Sequence, residues 1–113
     1  MRKKKYLLVS PSTYSLCVAR ACLISDGVSD NNTIEERVRN WSKRKKINDH
    51  MTLEEKLSYI SNRIKKVIEV YDHNLNIVLT ITPKNTEETI KILVYASHSY
   101  GILPRKDNFN EIA

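Results

Sequence analysis

The sequence predicts an α/β domain, and three segments carry that prediction. A long two-faced helical segment, residues 52–72, runs directly into a short, almost wholly apolar one, residues 75–82. An apolar run near the start, residues 5–10, reads as a first strand, and a capped segment at 86–100 reads as a last helix. A helix with one apolar stripe needs a surface to cover, and an unbroken apolar strand needs covering on both faces. With a further strand near 15–24, these elements give a short mixed sheet layered with helices.

At 113 residues the chain is long enough for one core and too short for two, so residues 1–113 are expected to form a single domain. Residues 1–4 make a basic lead-in and 105–113 a frayed polar tail. The apolar fraction of 41% and the charged fraction of 28% are ordinary for a globular protein.

In chain order, Tyr6-Leu7-Leu8-Val9-Ser10 is a strand closed by Pro11-Ser12-Thr13, and its apolar character predicts a central position. The stretch from Tyr14 to Ile24 reads two ways. Its Val, Ile and Cys content favours a strand hairpinned to the first. Its alanines favour a buried helix capped by Ser12 or Thr13 and ended by Gly27. Ser25 to Asn32 is a polar loop, whose Asp26 and Asp30 are expected as turn residues rather than metal ligands.

Thr33 and Glu36 make a capping box, and Ile34, Val38 and Trp41 are spaced for one helical face, although the segment also alternates loosely enough for an edge strand. A second box, Thr52-Leu53-Glu54-Glu55, opens the long helix. Its stripe is Leu53, Leu57, Ile60, Ile64, Val67, Ile68 and Tyr71. Pro83 stops the following strand. Asn85 or Thr86 then caps the last helix, Glu87 and Glu88 fill its first turn, and Gly101 ends it.

The formal net charge of +6, from nineteen Lys and Arg against thirteen acids, favours a polyanionic partner. Basic residues bunch at Arg2–Lys5, Arg37 to Lys46, Arg63-Lys65-Lys66 and Arg105-Lys106. The densest run sets Arg37, Arg39, Lys43, Arg44, Lys45 and Lys46 beside the only tryptophan, Trp41. Cations that neutralise a phosphate backbone, with an aromatic ring to stack a base, suit sequence-tolerant nucleic-acid binding. The competing reading is a solvated connector with Trp41 in the core.

Most reaction classes find no footing. With only two glycines, a phosphate-binding loop and a dinucleotide fingerprint are excluded. There is no HExxH, and His50, His73 and His98 are scattered. His73 suits a helix C-terminus, and His98, near Tyr95 and Tyr100, has no neighbouring nucleophile in sequence. Cys17 and Cys22 read as reduced, buried thiols. No metal or cofactor is expected. No apolar run approaches the roughly 20 residues of a membrane helix, and the run after the first lysines is too short for a signal peptide. A cytoplasmic setting is expected.

Leu7-Leu8-Val9-Ser10-Pro11-Ser12-Thr13, the helix from Leu53 to Tyr71, the strand Ile77 to Thr82 and Lys84-Asn85 with its helix to Gly101 together resemble the RuvC-type resolvase branch of the RNase H-like superfamily. The resemblance implies an RNase H-like three-layer core. It also implies a site where divalent metal would be held by acids at the ends of these strands. Those acids are missing: Ser10 stands at the first position and Thr80 or Thr82 at the second. A hydroxyl brings no charge to a hard cation, so the resemblance implies a degenerate member without the metal site. If residues 14–24 are helical, Val9 to Thr13 and Thr80 to Thr86 instead faintly resemble the ligand loops of CARF-type domains, which bind cyclic oligoadenylates.

The leading expectation is a catalytically inactive nucleic-acid-binding protein, able to take DNA or RNA. The alternatives are a small inhibitor or adaptor of phage or mobile-element type that binds a partner protein, and a nuclease or cyclic-oligonucleotide-binding protein. A homodimer sharing the wide helix stripe is compatible with each.

Overall fold

The computed structural model describes residues 6–10, 16–43, 47, 48, 50–96 and 98–104. Their order is β1 (Tyr6–Val9), α1 (Cys17–Ser25), α2 (Asn31–Lys43), α3 (Leu53–Ile64), β2 (Val67–Tyr71), β3 (Ile77–Ile81), β4 (Thr89–Tyr95) and β5 (His98–Pro104). The protein is α/β. Its sheet runs β1-β5-β4-β2-β3, antiparallel except where β2 pairs with β4 in parallel.

Both α1 and α3 pack on the sheet, α1 on β4 and β5, α3 on β2 and β3, and they touch each other. They therefore share one face. From Val18 to Ile24 every residue of α1 is buried, because α2 closes the side of α1 that the sheet leaves open. The result is three layers: sheet, α1 with α3, then α2. Ile68, Val70, Ile90 and Ile92 meet Leu23, Leu57 and Ile60 in the core, which also takes in Ile34, Val38, Trp41 and Ile47.

The sheet contact of α1 is unusually close. A Cβ at Gly101 would lie 2.6 Å from Ile24 Cγ2 and 3.1 Å from the Ala21 carbonyl oxygen. The Ser25 hydroxyl reaches into the ladder itself, donating to the Lys91 carbonyl at 2.6 Å and accepting from the Ile102 amide at 2.9 Å. The helix ends in a Schellman motif. Gly27, at φ 97°, gives its amide to the Ile24 carbonyl, and Val28 gives its amide to Leu23.

Several expected elements need correction. Residues 17–25 are helical, so the expected strand at 15–24 is absent and the helical alternative with Gly27 after its end holds. The long helix stops at Ile64, not residue 72, with Lys65 left-handed at φ 59° and its amide on the Ser61 carbonyl. Val67-Ile68-Glu69-Val70-Tyr71 continues the apolar stripe, but it also alternates and is β-branched, and packing resolves it as β2. The segment 86–100 is not a helix. It is β4 and the start of β5, paired antiparallel, with Ala96 after β4 at φ 53°. Thr89-Ile90-Lys91-Ile92-Leu93-Val94-Tyr95 alternates with β-branched residues, and that period prevails over the cap-like Asn85-Thr86-Glu87-Glu88. Gly101 accordingly lies inside a strand, and His73 in the β2–β3 turn rather than at a helix end.

The first strand is at an edge, not the centre, since its four residues pair only with β5. The expected strand at 75–82 exists as β3, also at an edge. It is not covered on both faces: Ile77 and Val78 are more than half exposed. The described residues 33–43 are helical, within a helix from Asn31 to Lys43 entered one turn early because Asp30 Oδ2 accepts from the Thr33 amide and hydroxyl. These bonds hold the Asp30 carboxyl below its ordinary pKa. The Thr52–Glu55 box forms as expected, with both reciprocal bonds present.

Candidate nucleic-acid interface

The sequence of α2 sorts itself around the helix axis. Ile34, Val38 and Trp41, at i, i+4 and i+7, form the buried stripe. Arg37, Arg39 and Lys43 are left exposed, with Glu36 as the exposed acid among them. At about 100° per residue, Arg39 and Lys43 lie some 40° apart on one flank, and Arg37 lies about 160° from Arg39 on the other. None of the three cations forms an ion pair with a described residue.

Trp41 is 6% exposed and meets Tyr59 edge-to-face at 6.1 Å between ring centroids. The core reading of this residue is the one the structure shows, and no exposed ring face remains to stack a base. Arg44, Lys45 and Lys46 continue the basic run in sequence but lie outside the described residues, as do Arg2–Lys5, Ser12 and Thr13.

An ion pair fixes α2 against α1. Arg20, buried in the apolar body of α1, donates from Nε and Nη2 to the two carboxylate oxygens of Glu35, both at 2.7 Å. The hydrogen bonds from Arg20, aided by its charge and that of Arg39, hold the Glu35 carboxyl below its usual pKa. This fork–fork geometry sets rotation as well as distance. Beside it an open cleft of about 470 Å³ lies between the helices, its lining including Arg20, Glu35, Arg39, Ser42 and Lys43. The sequence reading passed over Arg20 and Glu35. One arginine inside Cys-Val-Ala-Arg-Ala-Cys-Leu-Ile was the available signal, because a buried guanidinium requires a carboxylate.

The degenerate metal-site positions are not brought together. Ser10 follows β1 and Thr80 lies in β3, the two opposite edges of the sheet, four strand spacings or roughly 19 Å apart. Thr82 follows β3, which runs against the direction β1 shares with β2 and β4, so Ser10 and Thr82 fall at opposite corners. Ser10 is instead hydrogen-bonded to His98, Oγ to Nε2 at 3.0 Å, while His98 meets Tyr100 edge-to-face. This contact ties the end of β1 to β5. Among the described residues no group of three or more His, Cys, Asp or Glu side chains is placed to hold a metal ion. Nor is any described helix long and apolar enough to cross a membrane.

Other polar pairs have structural tasks. Lys66 bridges Asp26, after α1, and Glu88, before β4, and the Asp26 carboxylate raises the Lys66 pKa. Cys17 and Cys22 are free thiols. Burial pushes the Cys22 thiol far above its ordinary pKa, which leaves it without a reactive thiolate. A scan against protein-family models finds no match, and no curated protein matches the chain significantly.

Proposed function

We propose that this protein binds nucleic acid without acting on it, contacting phosphates through the solvent side of α2. One observation carries the proposal: Arg37, Arg39 and Lys43 are exposed on a helix that its apolar stripe and the Arg20–Glu35 fork hold on the domain, and none of the three is ion-paired with a described acid. Cations carried on a packed helix favour polyanion contact, because little backbone freedom remains to be lost on binding. The overall charge of +6 adds a long-range attraction in the same sense. Arg44, Lys45 and Lys46 extend the proposed contact in sequence.

The proposal differs from the sequence expectation in one respect: it uses no stacking by Trp41. Nor does it rest on kinship with the RuvC-type resolvases. That kinship remains a proposal drawn from motif order, and one of the motifs behind it, the helix to Gly101, is a strand hairpin here. A non-catalytic role is supported by the wide separation of Ser10 from Thr80 and Thr82. A cytoplasmic setting belongs to the same proposal and is supported by the two free thiols.

Fluorescence anisotropy with labelled duplex and single-stranded oligonucleotides tests the proposal. Log affinity should fall with log salt, and Arg37, Arg39 and Lys43 should together contribute about −2 to −3 to the slope if each meets one phosphate. Chelators should have no effect. Replacing Arg37, Arg39 and Lys43 together with Ala should flatten that slope, and binding without salt dependence would refute the proposal.

A further inference from the structure

The sheet is apolar on both faces, and the described helices cover only one. Paired residues of a ladder share a face, and Ile68, Val70, Ile90 and Ile92 turn to the helices. Their neighbours along each strand turn the other way. One row of this outer face runs Tyr100, Leu93, Tyr71 and Ile77 across β5, β4, β2 and β3. The next runs Leu8, Ile102, Lys91, Glu69 and Thr80 from β1 to β3.

An antiparallel sheet with one face to water usually alternates apolar inward and polar outward. Here most outward positions are apolar. Leu93 and Ile102 are buried within the face, while Leu8, Ile77 and Tyr95 are 49%, 51% and 52% exposed. These three lie on β1, β3 and β4, so uncovered apolar surface reaches from one edge strand to the other. No described helix lies over it, since α1 and α3 pack on the opposite face and α2 packs on α1.

Charge decides what this face can meet. Among its described strand residues only Lys91 and Glu69 are charged, opposite in sign and 3.8 Å apart, on a chain of net charge +6. A neutral face has little to offer a polyanion. It suits a second copy of itself, because a surface carrying one charge of each sign is self-complementary: under twofold symmetry Lys91 of each copy can oppose Glu69 of the other. Five strands about 4.8 Å apart, most of them five to seven residues long, give the face an outline of roughly 24 by 20 Å. That is roughly 500 Å² per copy, close to the lower bound of about 600 Å² per partner for specific interfaces, so association should depend on concentration.

We propose that the protein self-associates as a twofold dimer, the outer face of one sheet against that of a second copy. The stripe of α3 is not the shared surface, because Leu57 and Ile60 are spent in the core. The packing leaves both α2 helices on the outside, so the inference stands independently of the nucleic-acid reading.

Sedimentation equilibrium of the full chain, without nucleic acid, from low micromolar to near-millimolar concentration tests the proposal. A monomer–dimer equilibrium is expected. Because each copy carries +6, association should tighten as salt rises, the opposite sense to oligonucleotide binding. Tyr95→Glu, at a half-exposed site, should weaken association about tenfold or more while leaving the urea midpoint near wild type. Leu75→Glu, in the β2–β3 turn, should leave association unchanged.

Lys91→Glu and Glu69→Lys should each weaken association, since each face then carries two like charges. An equimolar mixture of the two variants should recover a dimer, an acidic face against a basic one. Restoration in the mixture reports contact between copies, because the pair within each chain stays broken. A monomer at every concentration, a dimer indifferent to Tyr95→Glu, or a mixture that stays as monomeric as its components would overturn the inference and leave the α2 interface untouched. Association lost in Leu75→Glu but kept in Tyr95→Glu would also overturn it, by moving the contact to the β3 edge.

Discussion

Gly101→Ala should destabilise this domain by forcing α1 away from β5. The residue lies in β5 with an ordinary strand conformation, so the effect is one of space rather than backbone strain. The new Cβ would fall 2.6 Å from Ile24 Cγ2, 2.9 Å from Ile24 Cβ and 3.1 Å from the Ala21 carbonyl oxygen. A relaxed carbon–carbon contact is about 3.5–4.0 Å, so α1 must retreat from the sheet by roughly 1 Å.

That retreat cannot be absorbed by a side-chain rotation, since two of the three obstructing atoms are the Cβ and main chain of α1. It would also stretch the Ser25 bonds to Lys91 and Ile102, at 2.6 and 2.9 Å. Overpacking of this kind costs about 1–3 kcal/mol. Loss of glycine's freedom in the unfolded chain offsets about 0.5–1 kcal/mol of it. The net expectation is about 1 kcal/mol, or some 4–6 °C in melting temperature for a domain of this size.

Urea melts of wild type, Gly101→Ala, Ile24→Ala and the double variant make the measurement. Ile24→Ala removes the nearest obstructing atom, so the two substitutions should be strongly non-additive in the stabilising sense. Gly27→Ala is the control, because nothing lies within 4 Å of its Cβ position and only its φ of 97° opposes the change. If Gly101→Ala were as stable as wild type, the direct seating of α1 on β5 would be wrong.

Three further outcomes follow from the same contacts. Glu35→Ala removes the carboxylate that accepts the fork of the buried Arg20 and should cost about 1–2 kcal/mol, a buried-pair figure discounted because the carboxylate is 36% exposed. Since the Glu35 pKa is lowered in the fold, its contribution is present above the unfolded value and is lost as pH falls through the folded one. The stability gap between wild type and Glu35→Ala should therefore begin to narrow as pH falls past the ordinary glutamate value of about 4.3 and close only below the lowered folded value, as urea melts across pH would show. Thr52→Ala, which removes the capping hydroxyl of α3, should cost about 1 kcal/mol in the same assay. Trp41 emission should be that of a buried indole and should not be quenched by saturating oligonucleotide, because its ring packs on Tyr59.

What the sequence disclosed divides by the physics of each segment. Thr52 to Ile60 was legible in full, since a capping box and a stripe of Leu53, Leu57 and Ile60 point the same way. Val67 to Tyr71 was not, because its apolar residues satisfy helical and alternating periods at once and only packing beside β4 decides between them. The segment 89–95 misled for a related reason. The polar residues before it imitate a helix start, but Glu88 spends its carbonyl on the Val67 amide and Thr86 its hydroxyl on Lys65. The cations of α2 were visible as composition, and their exposure follows from the spacing of Ile34, Val38 and Trp41. The cleft was invisible: it depends on Leu16 and Arg20 of another helix, and no local pattern places them against Ser42 and Lys43.

The most direct test is the salt dependence of oligonucleotide binding by wild type and by the variant lacking Arg37, Arg39 and Lys43. Wild type should show log affinity falling with log salt, and the variant weaker binding with a slope shallower by about 2 to 3, the contribution of three phosphate contacts. Identical slopes for the two proteins would contradict the assignment of nucleic-acid contact to α2.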